Sequence, residues 1–586
     1  MTKKLLNEVE DSVREMIRGV TSVHSHLKQL SISDGNQQSS VDVIVRADLN
    51  LIKDERVTLI SGGGSGHEPS HGMYVGKGML TAAVCGAVFT SPAIKVILQT
   101  IRACCGSKGC LLIVKNYTGD RLNFGAAMEQ ARLEGFNVEL VIVGDDCSLI
   151  TQRKRRGIAG TVFVHKIVGA YAEKHNLTLS QVKQMAQWVA NSVSTMGVAL
   201  SGCNVPGNTS SSFNLPDDQV ELGLGIHGEQ GVERVPIQTS NKITKILIDR
   251  ILQDEFNSFN KSKIVLLINN LGSTTALEQY VVARDSVLHL KERGYTVERV
   301  YVGTFMSAMD MSGVSISILN VDSKDCPLNH GDIIQLLDAE SESPNWPPAT
   351  SIIGDEDRTG DGYNILVHHQ SQTNQNQTEE YKDDQTQVQF ARLVIEKILR
   401  TVVEQEPHLT KLDTLVGDGD MGFSFKRGAS LSLERLSKVE KFDNLSQLVL
   451  VVALAIQEMG GSSGAIMSAG LINMSHALKE YKEKSSYNLW SEAFIKGVEA
   501  MNKLGGASKG DRTMMDALYP LSEAISSESV DKIRLAAEQG ANNTKDMVPG
   551  EGRSGLIGAS KVKGHVDPGA FAVSIMTDVW ADLMSH

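Results

Sequence analysis

An α/β unit of two lobes followed by an all-helical domain is the architecture this sequence predicts, and three observations carry the expectation. Short β-branched runs alternate with helical patterns from Arg56 to about Val321, a stretch with almost nothing to bury runs from Gln370 to Gln387, and beyond it apolar residues recur every three to four positions. At 586 residues the chain is several times the usual domain size, so separate cores are required in any case.

The candidate strands are Val57 to Ile60, Leu111 to Val114, Val138 to Val143, Ile264 to Ile268, Val297 to Val302 and Ser315 to Leu319. Segments between them, such as Thr275 to Arg293, are long enough to cross over a sheet, which predicts parallel pairing under a cover of helices. The stretch Ser194 to Asp218, rich in Gly, Ser, Asn and Pro, is expected to separate lobes of about 1–195 and 196–345. After Trp346-Pro347-Pro348 the composition shifts again, and 346–387 reads as a flexible linker. From 388 to 586 the repeats Phe390, Leu393, Val394, Ile398, Val402 and Leu445, Leu448, Val449, Val452, Ile456 each mark one face of a helix.

Composition excludes several function classes. A net charge of -12 with 5% aromatic residues argues against nucleic acid, which needs a basic surface or stacking platforms. Seven cysteines without a paired CxxC pattern suit reduced thiols. The first ten residues hold no apolar stretch fit for a signal peptide, and the longest apolar run, Leu448 to Ile456, is about half a membrane span. A cytoplasmic protein with no membrane partner is expected.

Two constellations carry chemistry. In the α/β region, Ser61-Gly62-Gly63-Gly64-Ser65-Gly66-His67-Glu68-Pro69 follows a strand and reads as a glycine loop at its C-terminal end, where α/β proteins bind ligands. It lacks the spacing of a P-loop, and a tight turn with a helix cap is the plainer alternative. Lys115-Asn116-Tyr117-Thr118-Gly119-Asp120 gathers polar groups past a second strand, with Asp120 either facing a pocket or capping the next helix. In Val220 to Glu229, apolar residues alternate with Glu221, Gly223, Gly225 and His227, as on a strand whose glycine-lined face leaves room for a ligand to end against the imidazole. The formal GxGxxG match from Gly223 to Gly228 is weak alone.

In the helical region, Asp413, Asp418 and Asp420 lie within eight residues, two of them separated only by Gly419. Such packing repels itself without a cation, and hard oxygens at this density suit Mg²⁺ completed by substrate phosphates, although Asp and Gly are also ordinary turn material. Gly460-Gly461-Ser462-Ser463-Gly464 precedes an apolar helix whose N-terminus could hold an anion. Gly505 to Asp516 and Gly552-Arg553 add basic, hydroxyl and backbone donors, outlining a nucleotide-metal site.

Taken in order, SGGGSGHEP, KNYTGDRLNFG, LGLGIHGE, GDGDMG, GGSSG and GDRTMMD resemble the signature segments of the ATP-dependent dihydroxyacetone kinases, above all of the animal branch of that family, over nearly the whole chain. The resemblance implies a two-lobed triose-binding domain over 1–345 and a helical barrel that holds ATP and Mg²⁺. It makes His227 the nucleophile that adds to the triose carbonyl as a hemiaminal, with His67 and Asp120 as acid and base and Gly64, Ser65, Gly66 and Lys115 lining the pocket. Asp413, Asp418 and Asp420 become metal ligands. Around the nucleotide it sets Asp418, Gly419, Asp420, Met421, Ser462, Ser463, Gly505, Thr513, Met514 and Arg553, with the Asp567-Pro568-Gly569 turn. One departure is Ser554-Gly555-Leu556, where the family has Ala-Ser-Tyr, and the stretch Ser31 to Ser40 is expected to be an inserted surface loop. The animal-type resemblance further implies FAD as a second substrate, cleaved with Mn²⁺ or Co²⁺ to cyclic FMN. It also implies a homodimer and contact with an innate-immune sensor protein. A regulatory or interaction protein of the same fold is the alternative.

Overall fold

Each of the six apolar runs proposed as strands falls on one in the computed structural model, which describes residues 3–34, 37–149, 155–174, 176–208, 210–257, 259, 263–323, 325–347, 383–480, 486–550 and 562–585. The chain divides into two units, Met1–Leu366 and Val367–His586.

In the first unit, β1 (Leu27–Asp34), β2 (Gln37–Arg46), β3 (Thr58–Ser65), β4 (Ala82–Val88), β5 (Cys110–Lys115) and β6 (Val138–Val143) form one sheet in the order β1-β2-β4-β3-β5-β6. The four strands from β4 to β6 are parallel, while β1 and β2 form an antiparallel edge. The stretch from Ser31 to Ser40 is therefore not a loop, because Ser31 and Ser40 are themselves paired across the β1–β2 ladder. Its Leu30-Ser31-Ile32-Ser33 alternation is the pattern of an edge strand.

The second sheet contains β7 (Val193–Ala199), β8 (Gln219–Leu222), β9 (Glu233–Pro236), β10 (Lys263–Asn270), β11 (Thr296–Gly303) and β12 (Gly313–Asn320), in the order β11-β10-β12-β7-β8-β9. Here the expectation of parallel pairing fails: β10 and β11 alone are parallel. The helix Ala276–Glu292, opened by a Thr275/Glu278 capping box, supplies the one crossover between these two strands. The link 304–312 is too short for the dozen or more residues a crossover takes, so β12 turns back antiparallel. The predicted separator also begins later than Ser194, since Val193 to Ala199 is a buried interior strand.

Period two along β10 shows how the sheets are held. Val265 and Leu267 enter a core that also contains Leu111 and Val141 of the first sheet, whereas Ile264, Leu266 and Ile268 pack with Leu247 and Leu290 of the covering helices. Burial on both faces explains the unbroken apolar run. The helix Thr161–Ala172 has all twelve residues buried in the shared core, each large apolar side chain contributing roughly 1.5–3 kcal/mol.

The second unit shows helices and no strand among its described residues: Gln385–Glu404, Glu406–Val416, Met421–Ser437, Leu445–Gln457, Gly461–Glu480, Ser486–Gly505, Met515–Ala524, Val530–Asn543 and Pro568–Met584. The first begins at Gln385, so its opening turn takes in residues the sequence reading gave to the linker. The stripe Leu445, Leu448, Val449, Val452 and Ile456 is buried as expected. In the earlier stripe Val394 and Val402 are buried, Leu393 is exposed, and Phe390 lines an apolar cavity of about 600 Å³ among the helices, together with Trp490 and Trp580. Among the described residues no helix is long and apolar enough to cross a membrane, and all seven cysteines are unpaired.

Candidate active site

The glycine run expected as a loop is the second half of β3, and it is wholly buried. A side chain at Gly63 would put its Cβ 2.4 Å from Lys115 Nζ, and one at Gly64 would meet the Thr90 backbone N at 2.5 Å. The glycines thus allow neighbouring groups to cross the strand. Lys115, the last residue of β5, brings its ammonium within 3.5 Å of Asp120 Oδ2, and both side chains are almost fully buried. Asp120 lies in the first turn of the helix Thr118–Leu133, whose cap position is Tyr117, and its other oxygen accepts from the Ser91 hydroxyl. It therefore faces the interior and does not occupy the cap position of its helix. Behind Lys115, its Nζ lies 2.9 Å from His71 Nε2, and His71 Nδ1 lies 2.9 Å from His165 Nε2. An ammonium cannot accept, so along this chain of contacts His71 Nε2 accepts and its Nδ1–H donates to His165.

His67 follows β3 and is fully buried. Its Nδ1–H donates to the Ser307 carbonyl at 2.9 Å, which leaves Nε2 of the neutral ring with a lone pair and no hydrogen-bond partner among the described residues. The ring stacks on Phe89 at 5.0 Å and meets the His227 ring edge-on at 4.7 Å. Tyr117 closes the other side of His227, with ring centres 4.6 Å apart. Among the other residues expected to line a pocket, the Ser65 hydroxyl donates to Gly86 O at 2.8 Å, and the Gly66 N–H donates to the Glu68 carboxylate at 2.9 Å.

His227 reaches this cluster by a route the alternation did not predict. The strand stops at Leu222, and Gly223 takes a φ of +66°, a left-handed conformation that favours glycine. Val220 and Leu222 pack under the second sheet, but Leu224 and Ile226 enter the shared core between the sheets. The space beside the glycines is not left for a ligand. A Cβ at Gly223 would meet Ser148 at 2.6 Å, and one at Gly225 would meet Glu229 Oε1 at 1.8 Å. Glu229 instead folds back to accept from the His227 backbone N–H.

Burial pushes the His67, His71 and His227 imidazoles below their ordinary range, His165 to about 3, and the Lys115 ammonium downward against the pull of Asp120. Lys115 adds to the effect on each histidine. The cluster is thus a set of neutral imidazoles around one buried ion pair.

In the second unit, Asp413, Asp418 and Asp420 each offer a carboxylate oxygen within 4.8 Å of the others. Asp413 lies in the last turn of the helix Glu406–Val416, Gly419 turns the chain with a φ of +78°, and Asp420 immediately precedes Met421–Ser437, whose first N–H, from Met421, donates to Asp413 Oδ2 at 3.0 Å. A hard, oxygen-only donor set with two members open to solvent fits a divalent ion that keeps waters and phosphate oxygens. Ser462 and Ser463 are in the first turn of Gly461–Glu480 instead of a loop before it, and Gly505, ending its own helix, sits against Ile466 one turn further on. Thr513 donates its N–H to Asp516 Oδ2 at 2.9 Å, and Met514 lies against Gly569. Asp567 caps Pro568–Met584 by accepting from Ala570 N at 2.8 Å, and burial pushes its carboxyl up to about 6. Arg553 and the Ser554-Gly555-Leu556 departure lie outside the described residues.

Sequence reasoning assigned no part to Phe89, Arg156, His71 or His165. His71 lies two residues past the end of the motif that holds His67 and was within reach; the others come close only through the fold.

Comparison with known proteins agrees with this layout. A Dak1 domain matches residues 24–345 and a DAK2 domain residues 415–582. The chain is 38% identical to the triokinase/FMN cyclase of Homo sapiens over 98% of each sequence. It is similar to the crystal structure of the dihydroxyacetone kinase of C. freundii in its native form, with a TM-score of 0.61 and 33% identity over 99% of this chain, and equally to the complex of that enzyme with AMP-PNP and Mg²⁺. A dihydroxyacetone kinase operon co-activator matches 59% of the chain at 32% identity, with a TM-score of 0.52. The chain belongs to the dihydroxyacetone kinase family, with a Dak1 domain followed by a DAK2 domain.

Proposed function

We propose that this protein is an ATP-dependent kinase forming the phosphates of dihydroxyacetone and glyceraldehyde, and that it also cleaves FAD to AMP and cyclic FMN. The triose is held by residues 1–345, the nucleotide by 388–586, and 346–387 link them. What supports the reading most is the approach of His227, His67 and the Lys115–Asp120 pair from segments far apart in the chain, with His67 Nε2 buried and unpartnered among the described residues beside the His227 ring.

A triose offers little surface to bind, so a reversible covalent bond fixes it for transfer. A ring nitrogen of neutral His227 adds to the carbonyl carbon, a proton passes to the carbonyl oxygen, and one leaves the other ring nitrogen, giving a hemiaminal. His67, with Nδ1–H committed to Ser307, exchanges protons through Nε2. Asp120 takes the proton of the terminal hydroxyl as that oxygen attacks the γ-phosphorus of ATP and ADP departs. Mg²⁺ bound with the nucleotide neutralises phosphate charge, and Asp413, Asp418 and Asp420 are the residues that would hold it. In the second reaction a ribityl hydroxyl of FAD attacks the flavin-side phosphorus and AMP leaves, with Mn²⁺ or Co²⁺ in the same carboxylate site. The working form is a cytoplasmic homodimer in which each helical domain reaches a triose site.

The experiment is direct: purified protein is assayed with ATP and dihydroxyacetone, and separately with FAD and Mn²⁺. Absence of triose turnover refutes the main reading. The co-activator whose structure matches 59% of the chain favours a second one, a regulator of weak catalysis. Triose binding without phosphorylation would support it.

A further inference from the structure

We infer that Arg156 and Glu229 form a positioning pair that clamps the His227 loop and balances the charge beside its imidazole. This rests on the reading of His227 as the covalent group.

The clamp is visible in the contacts of one guanidinium. Arg156 Nε donates to Asp146 Oδ2 at 2.6 Å, Nη2 to the Gly223 carbonyl at 2.7 Å and to Ser148 Oγ at 3.4 Å, and Nη1 to Glu229 Oε1 at 3.2 Å. Gly223 is where the chain leaves β8, and Glu229 follows His227 by two residues, so the arginine holds both ends of the loop. Glu229 completes the closure: one oxygen meets Arg156 and the other accepts the His227 backbone N–H. The missing Cβ of Gly225 is what admits the carboxylate, which would otherwise lie 1.8 Å from that atom. Asp146 is fully buried and Arg156 only 13% exposed, which keeps water from competing for these bonds.

The same pair sets the charge near the imidazole. The ionisable groups facing His227 are His67 beyond β3, Lys115 at the end of β5 and Tyr117 after it, Asp120 on the following helix, Arg156 beyond β6, and Glu229 on its own loop. Arg156 offsets two carboxylates, Asp146 and Glu229. Without it, Glu229 stands uncompensated beside the ring and favours the imidazolium; without the Glu229 charge, Arg156 and Lys115 oppose it. The lone pair that adds to the triose exists only on the unprotonated ring, so the acid limb of triose turnover reports the balance.

The test uses the full-length protein with dihydroxyacetone and ATP, measuring kcat/KM from pH 5 to 9 in wild type, R156Q, E229Q and H227A. In R156Q the acid limb is expected to move up by about one pH unit, a tenfold loss at the limb, and in E229Q to move down, because Gln keeps an oxygen for the His227 N–H but loses the charge. General loosening of the loop would lower both rates without shifting the limbs in opposite directions. If R156Q does not fold by its melting transition, E229Q decides alone, and an unmoved or raised limb overturns the pair. Full turnover in H227A overturns the reading of His227 itself; loss in H227A with unmoved limbs in both charge variants overturns only the present inference.

Discussion

Replacing Asp418 by Asn should have opposite effects on stability with and without a divalent ion. The carboxylate oxygens of Asp413, Asp418 and Asp420 lie within 4.8 Å of one another. Two charges at that separation repel by about 0.9 kcal/mol in water and about 3.5 kcal/mol at an effective dielectric of 20. Asp418 and Asp420 are exposed, so the water value governs, and physiological salt roughly halves it. Asp418→Asn removes two of the three repulsive pairs and should stabilise the metal-free protein by about 1 kcal/mol, raising the transition of a helical unit of this size by about 2–4 °C. With Mg²⁺ the order inverts. Wild type gains about 4 kcal/mol at a thousand times the dissociation constant, whereas the variant, short of one hard ligand, needs more metal for the same gain. The assay is scanning calorimetry of the whole chain in EDTA and across a Mg²⁺ series. A lowered transition in EDTA, or a Mg²⁺ response equal to that of wild type, would refute the view that these three carboxylates form a cation site.

Other consequences follow from the same geometry. His227→Ala should lower triose phosphorylation on the order of 10³-fold, yet leave FAD cleavage intact, whereas Asp420→Ala should lose both; loss of FAD cleavage in His227→Ala with an unchanged melting curve would show that the two units do not divide the work. His67→Asn should cost about 10²–10⁴-fold in kcat by removing the Nε2 acceptor, and a kcat within a few-fold of wild type would sink the acid-base role. His67, His71 and His165 have depressed folded values, so each contributes stability that is complete above the unfolded value near 6.5 and is lost as pH falls below it, at about 1.4 kcal/mol per pH unit each. Urea unfolding between pH 7.5 and 5 checks this, and a flat profile contradicts it. Gly225→Ala should lower triose turnover because its Cβ displaces the Glu229 carboxylate, and a pH profile and rate identical to wild type would contradict the loop geometry.

How far the sequence disclosed this molecule depended on how local the governing contacts are. Leu111 to Val114 was legible because an interior parallel strand buried on both faces is apolar throughout. The helix after Thr275 was legible because its capping box lies within four residues. β1 and β2 were not, since the stretch from Ser31 to Ser40 is rich in Ser and Gln and reads as a loop, although Val41 to Val45 carries the apolar character of a strand. The strand reading of Val220 to Ile226 failed for a subtler reason. Alternating burial persisted past Leu222, but into a different core, and the positive φ at Gly223 that separates the two leaves no trace in periodicity. The motifs proposed His67, Asp120 and His227, and Lys115 and Glu229 stand in the same motifs as the groups they touch, but nothing local could pair Ser307 with His67 across 240 residues or Arg156 with Glu229 across 73.

The glycines of the first site make a general point about such motifs. Open backbone beside a histidine invites the reading that glycine makes way for substrate. At Gly63 and Gly225 the room is taken by the protein's own charged groups, the Lys115 ammonium and the Glu229 carboxylate. Each approaches the backbone at a distance no other residue would permit, and each thereby acts on a catalytic candidate, Asp120 in one case and His227 in the other. A covalent site for a small neutral sugar needs an unprotonated imidazole and a charged base a few ångströms apart, with little water to screen them. Glycine answers that need by letting fixed charges, rather than solvent, occupy the space around the reacting groups. The demand for glycine at these positions is then electrostatic in origin: alanine at either would move a charge on which the chemistry depends.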